Sequence, residues 1–356
     1  MFNEILNKLK LNKRLKDEGK ITSVLFPFNR LSKIFPGWTK SSYTILTASS
    51  GIGKTKLAKF LSVTSVYEFV KNKPEIEAKI FYFALEETTE NFWLGVISTL
   101  LYEKYSLSLS PNQLKSLGEF YLEDDVLQKI EECKEVVEDM QKYIEVVDYI
   151  FNPYGCYKYV ADWFNNPNIG IEEFDTTHAE KVSKKYTYVN PNLWVFVITD
   201  HISLLSPEKG ESLHEAMGRY SKQFCLKGFT KKYGCVTINI QQQEAAKEKA
   251  EYYQGISIEE KLEPSLDGLA NNKETQRDAD LVLGLFAPER YGIKKHRGYD
   301  INRLKNKYRS IKFLKDRNNG LINFYIGTYF NGASNYFEEL PKADEMKETD
   351  YQKIIN

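Results

Sequence analysis

The eight residues from Ala48 to Thr55, ASSGIGKT, have the types and spacing that hold a phosphate. Small residues let a loop wrap an anion, and the loop N–H groups and the helix N-terminus that follows then point at it. In this pattern Lys54 reaches the β and γ phosphates, and the Thr55 hydroxyl helps hold Mg²⁺. Ala48 takes the first position, where a glycine is usual. The candidate nucleotide-binding residues are therefore Ser49, Ser50, Gly51, Ile52, Gly53, Lys54, Thr55 and Lys56, with ATP and Mg²⁺ as the expected ligands.

A phosphate site that hydrolyses needs a carboxylate to support the metal and a group to orient water. Asp200 ends the apolar run LWVFVITD, the form of a buried strand delivering a carboxylate at its tip, and is the second candidate metal ligand beside Thr55. KIFYFAL runs into Glu86 and Glu87, and Glu86 is the candidate for positioning water. CVTINI runs into Gln241, Gln242 and Gln243, where an amide could sense the γ phosphate.

Elements must hold these tips together. From Tyr43 onward, apolar β-rich runs alternate with helical patterns: YTILTA, KIFYFAL, LWVFVITD, CVTINI and DLVLGLF are separated by segments such as KLAKFLSVTSVYEFV and ENFWLGVISTLLYEKY. Such alternation predicts an α/β fold with a mostly parallel central sheet flanked by helices. The closely spaced SIKFL and LINFYIGTYF predict antiparallel strands at its C-terminal end. Before the sheet, Phe2, Ile5, Leu6 and Leu9 share one face of a short amphipathic helix, and KDEGK follows as a hinge. The expected division is a linker helix at 1–20, an ATPase domain at 21–345 with a helical, acidic segment at about 104–192, and a tail at 346–356.

Composition narrows the class. The 356 residues hold 49 Lys+Arg and 49 Asp+Glu, so bulk charge does not drive nucleic-acid binding. The neutrality hides polarity. Residues 118–148 hold eleven acids and three bases, a net of −8, and residues 289–317 hold eleven bases and three acids, a net of +8. The acidic run reads as a solvated helical face. The basic strip, interleaved with Tyr291, Tyr299 and Tyr308, reads as a solvated loop or as a face for nucleic acid or phosphate. Four cysteines without a CxxC pair and four scattered histidines argue against a disulfide scaffold or a metal knuckle. No signal peptide or membrane-length apolar run is visible, so a soluble, cytoplasmic protein with no membrane partner is expected.

The order of these pieces, from about Phe28 to about Phe337, resembles the C-terminal RecA-like motor domain of DnaB-type replicative helicases. FNRLSKIFPGWTKSSYTILTASSGIGKT, FYFALEE, VITDH and INIQQQ look like the family's phosphate loop, catalytic-glutamate strand, metal-carboxylate strand and sensor-glutamine strand. The sensor position falls on Gln241, with Gln242 as the other match. LDGLANNKETQRDADLVLGLF is similar to the DNA-binding loop and the strand after it, with Asp278 and Asp280 in the DAD signature. In SIKFLKDRNNG, Lys315 and Arg317 match residues that reach a neighbour's ATP. The sequence also departs from the family. Ala270 and Asn271 stand where an Arg-Glu pair is usual, Glu244 where Arg is frequent, and the helical N-terminal domain of bacterial members is missing. Small phage-encoded helicases lack that domain too, which would place the protein in a bacterial host's cytoplasm.

The resemblance implies a homo-oligomeric ring, a hexamer, with ATP between subunits. Lys54, Thr55, Asp200 and Glu86 would come from one subunit, and Lys315 and Arg317 from the next. Single-stranded DNA from a forked duplex would pass through the pore against loops near 244–262 and 265–277, where Lys247, Lys249 and Lys273 are the candidate contacts. A primase or a helicase loader would be further partners. Two other functions fit the same residues: a recombinase or remodeller that binds DNA without unwinding, and a non-enzymatic nucleotide-binding assembly protein.

Overall fold

The computed structural model describes residues 2–18, 22–175, 182–244, 252–253, 256–257 and 259–355. Nine strands form its central sheet: β1 (Ser42–Ala48), β2 (Glu77–Ala84), β3 (Ile144–Val147), β6 (Leu193–Asp200), β7 (Val236–Gln242), β10 (Leu281–Phe286), β13 (Tyr308–Asp316), β14 (Tyr325–Asn331) and β15 (Tyr336–Glu339). Among the described residues, three two-stranded pairs lie outside it: β4 (Gly170–Asp175) with β5 (Val182–Tyr188), β8 (Tyr252–Tyr253) with β9 (Ile256–Ser257), and β11 (Lys295–His296) with β12 (Tyr299–Asp300).

The sheet runs in the order β15-β14-β13-β10-β1-β7-β6-β2-β3. The six strands from β10 to β3 are parallel, and β13, β14 and β15 add antiparallel at the other edge. Both the parallel core and the antiparallel end therefore follow the pattern in the sequence. Every residue of β6 and β10 is buried, as expected of strands covered on both faces.

Two apolar layers sandwich the sheet. On one face, even-numbered β6 and β7 residues such as Phe196, Ile198, Ile238 and Ile240 pack on the helix that follows the phosphate loop. That helix runs as α2 (Lys54–Lys59), a π-helical stretch (Phe60–Thr64) and α3 (Ser65–Lys71). Next to it lies α4 (Thr89–Tyr105), started by the Thr88 hydroxyl accepting from the Asn91 N–H. On the other face, Val195, Val197, Tyr43 and Ile45 pack on the helix Pro153–Phe164 and on the long helical stretch from Leu213 to Lys232.

Three segments differ from the sequence reading. The helical, acidic segment expected at about 104–192 holds helices up to Tyr143 and again at Pro153–Phe164, with strands between and beyond them. Its IEVV is the edge strand β3, paired in parallel with Ile80–Phe83 of β2, because four β-branched or extended residues beside an open sheet edge gain a ladder that a helix end cannot offer. The same region then holds the β4–β5 hairpin. Residues 348–355, expected in a tail, form a helix whose Tyr351 and Ile354 are buried with Tyr299, Ile301, Leu304, Tyr308 and Leu340. The N-terminal helix α1 (Phe2–Asp17) is present as read, and its Phe2 (73% exposed), Ile5 and Leu9 face solvent. Among the described residues, no helix is long and apolar enough to cross a membrane.

Candidate functional site

The phosphate loop leaves the C-terminal end of β1 at the centre of the parallel sheet, where open α/β sheets place their ligands. Its backbone is shaped by glycine. Gly51 (φ 74°) and Gly53 (φ 110°) lie in the left-handed region, and a Cβ on Gly53 would come 3.0 Å from the Phe330 ring. Helix α2 begins at Lys54, so the N–H groups of its first turn are aimed at the loop's concavity. Lys54 itself is 6% exposed.

Asp200, at the end of β6, meets this helix. Thr55 Oγ1 donates to Asp200 Oδ1 at 3.1 Å, and Tyr82 Oη donates to Oδ2 at 2.8 Å from the neighbouring strand. Asp200 is 1% exposed. Burial pushes its carboxyl up to about 6, and the Glu87 charge pushes in the same direction, while the bonds from Tyr82 and Thr55 and the Lys59 charge oppose them. The buried carboxylate and the adjacent hydroxyl are hard oxygen donors of the kind Mg²⁺ takes alongside substrate phosphates.

Glu86 lies just beyond β2, whose Ala84 is in register with Asp200. Its side chain is 52% exposed, and Oε2 stands 3.8 Å from Nε2 of the buried His201. Burial, then the Lys54 charge, lower the His201 pKa, while Glu86 raises it. Glu87 turns the other way and pairs with the buried Lys59 of α2 at 2.5 Å, tying the tip of β2 to the phosphate-loop helix. Phosphate loop, Asp200 and Glu86 thus converge on one edge of the sheet.

Gln241 does not join them. On β7 it shares a face with Asn239, which contacts Tyr43 and Cys225 on the side away from α2. Its amide donates to the carbonyls of Ala270 and Asn272, both at 2.8 Å, and accepts from Thr275 Oγ1 at 2.7 Å. Gln241 therefore holds the 270–275 loop. Gln242, the other match, has the parity of Ile240 and lies on the α2 face.

Lys315 and Arg317 lie at the far end of the sheet, because β13 runs antiparallel to β10. Lys315 Nζ donates to the carbonyls of Gln276 and Ala279, and Arg317 pairs with Asp280 at 2.7 Å. Asp280 also accepts from the N–H of Tyr43, at the start of β1. The seven residues of β1 separate that point from the phosphate loop; at ~3.3 Å per residue this is about 20 Å, beyond an arginine's reach. Lys273 is half exposed and lies 3.4 Å from Glu244. Lys247 and Lys249 lie outside the described residues.

Sequence reasoning passed over the groups that brace the loop. Arg309, on β13 and 3% exposed, donates from Nε to the Ile52 carbonyl at 2.9 Å and packs its guanidinium 4.4 Å from the Phe330 ring centroid. Burial lowers its pKa to about 10. Arg290 donates to the Ser50 carbonyl, and Lys56 to that of Gly332. Of the basic strip at 289–317, Arg309 is thus turned inward, while Arg290 meets the loop from an exposed position. Local alternation gave no signal for Arg309, since it and its neighbours Tyr308 and Ser310 are all buried in a strand covered on both faces.

No family model matches the chain, and no curated protein does. Among solved structures it is similar to one described as an ATPase domain, with 16% identity over 96% of this chain and 99% of that one and a TM-score of 0.67. It is also similar to a DnaB-like replicative helicase whose structure was described with its interactions with primase, with 15% identity over 94% of this chain and 67% of that one and a TM-score of 0.66. The chain has the RecA-like fold of these ATPase domains, over most of its length.

Proposed function

We propose that the protein is an ATP-dependent motor that hydrolyses ATP in a ring of its own copies, translocates on single-stranded DNA and unwinds duplex DNA. One observation carries the reading. The phosphate loop, Thr55, Asp200 and Glu86 converge at one end of the sheet, while Lys315 and Arg317 are held at the other. Within one chain the two halves cannot meet, but a neighbouring copy would bring them together.

In this reading the loop N–H groups and Lys54 bind the ATP phosphates, and Thr55 and Asp200 hold Mg²⁺. The metal, when bound, neutralises charge on the phosphates. Glu86 orients the attacking water, and Lys315 and Arg317 of the next copy stabilise charge on the transferring group, an effect worth roughly 10³–10⁵ in rate for an arginine supplied in trans. Gln242 takes the sensor position. The exposed apolar face of α1 docks on a neighbour, and residues 21–345 form the ATPase unit. Lys273, Lys247 and Lys249 contact the DNA backbone, and a primase or loader is a further partner. A cytoplasmic location follows from this role.

The test is ATP hydrolysis with and without single-stranded DNA, at concentrations where the protein is monomeric and where it is assembled, beside Lys54→Ala and Arg317→Ala. We expect strand-stimulated hydrolysis only in the assembly, lost in both variants and restored when Lys54→Ala and Arg317→Ala subunits are mixed. Equal hydrolysis by a demonstrated monomer would overturn the reading. Hydrolysis without strand displacement would replace unwinding by remodelling.

A further inference from the structure

Two exposed bases of the basic strip, Lys295 and Arg297, border a second feature. On β13, Ile311 and Phe313 pack toward α2, while Tyr308 and Lys312 face the opposite side. There the β11–β12 hairpin folds over β13 and β14. Between this hairpin, the start of β14 and the 341–344 turn lies a cleft of about 760 Å³, within the range of pockets that hold small organic ligands. Its walls carry Arg30, Lys295, Arg297 and Lys342 beside the carboxylate Asp344; Arg30 is paired with Glu339 at 3.3 Å and Arg297 with Glu263 at 3.0 Å, so the charge turned to solvent is that of Lys295 and Lys342. Tyr299 and Tyr325 line it as well, and the Arg297 guanidinium lies 4.0 Å from the Tyr325 ring centroid.

Three features narrow the ligand. First, Lys295 and Lys342 are exposed, and the Lys342–Glu345 pair at 3.5 Å is a solvated pair of little strength. Second, an anion alone has no use for the aromatic wall, whereas cations beside a stacking surface are the two elements of sequence-tolerant strand binding. Third, the cleft is tied to Glu263, which follows in sequence the 244–262 stretch proposed above to contact DNA. Arg297 binds Glu263 at 3.0 Å, and Glu263 closes the 244–262 stretch while also binding His296 and Lys312.

We infer that this cleft is an additional contact for single-stranded nucleic acid, with Lys295 and Lys342 on successive backbone phosphates and an unstacked base against the Arg297–Tyr325 wall. The inference rests on the strand-binding part of the function proposed above.

The experiment measures binding of a labelled 20-nucleotide oligo-dT to the full chain by anisotropy over a range of salt, for wild type, Lys295→Ala/Lys342→Ala and Lys294→Ala/Lys347→Ala. The last pair removes the same charge from exposed lysines outside the cleft. Two lost single-strand phosphate contacts lower the magnitude of the log K–log salt slope by about 1.4, which is roughly 25-fold in affinity at 0.1 M salt. We expect that loss in the cleft variant and less than a third of it in the control pair, with strand-free ATP hydrolysis unchanged in both. Equal losses in the two variants, no loss in either, or no oligo-dT binding by the wild type would each overturn the inference. So would dTMP binding that the cleft variant abolishes while its oligo-dT affinity stays at the wild-type value, which would make the site one for a free nucleotide. The two readings fail separately: a chain that binds oligo-dT through the cleft but never hydrolyses ATP refutes the motor and leaves the cleft standing.

Discussion

Replacing Asp200 by Asn should make the nucleotide-free protein more stable, not less. The carboxyl is buried and its pKa rises from 3.8 to about 6, with desolvation as the largest cause. A carboxyl whose folded pKa is raised contributes stability that is fully present below the unfolded pKa and lost as pH rises through the folded one. At pH 8 the folded wild type therefore carries a penalty of about 3 kcal/mol, from two units at ~1.4 kcal/mol each. At pH 4.5 the penalty is about 1 kcal/mol by the same linkage. Asparagine keeps the shape and a hydrogen-bonding partner for Thr55 and Tyr82 but has no charge to bury. With an unfolding entropy of ~2.1 cal/mol/K per residue, the pH 8 difference corresponds to a rise of roughly 4 °C in Tm. Calorimetry without nucleotide or metal, from pH 4.5 to 8, reads this directly. The excess stability of Asp200→Asn should grow up to about pH 6 and then level off. MgATP should invert the order, stabilising the wild type and leaving the variant unmoved. A variant less stable at pH 8, or an excess that does not change with pH, would refute the account of a carboxylate destabilised by burial.

Two further substitutions separate binding from scaffold. Gln241→Ala leaves the carbonyls of Ala270 and Asn272 without its amide in a buried setting, and should cost about 2–3 kcal/mol of stability by denaturant titration. Gln242→Ala should stay within ~0.5 kcal/mol of wild type yet slow ATP hydrolysis at least tenfold; the reverse pattern would return the sensor role to Gln241. Glu263 is pushed up by burial, but its bonds from His296 and Lys312 and the nearby Lys312 and Arg297 charges outweigh this and hold it down at about 2. Its folded pKa is depressed, so its contribution is present above about pH 4.5 and is lost as pH falls toward 2. Glu263→Gln should thus cost about 2–3 kcal/mol at pH 7, from leaving partly buried cations unmatched, and that cost should shrink in acid; a cost that persists at pH 2.5 would refute the ion-pair account.

Much of the site could be read before folding because its signals are local. ASSGIGKT needs a strand before it and a helix after it, and both neighbours carry the right periodicity. Asp200 and Glu86 end apolar runs, and a buried strand in a parallel sheet is itself an apolar run. The opposite facing of the two sensor candidates was in principle legible too. Strand residues alternate faces, so Gln241 sits with the polar Thr237 and Asn239, whereas Gln242 follows Ile238 and Ile240. The strand β3 was not legible, since IEVV continues an acidic helical pattern and becomes a strand only because β2 offers it an edge.

The sequence by itself determined the local pieces of the candidate site: a loop of the type that holds phosphates, a carboxylate at a strand tip, and the α/β alternation that carries them. Only the tertiary structure decided which groups share a site. Reversing β13 places Lys315 and Arg317 the length of β1 away from the phosphate loop of their own chain, while turning Arg309 of the same strand under the Ile52 carbonyl. Chain order says nothing about strand direction in the sheet, and at about 3.3 Å per residue direction alone separates two functional ends that no side chain can bridge.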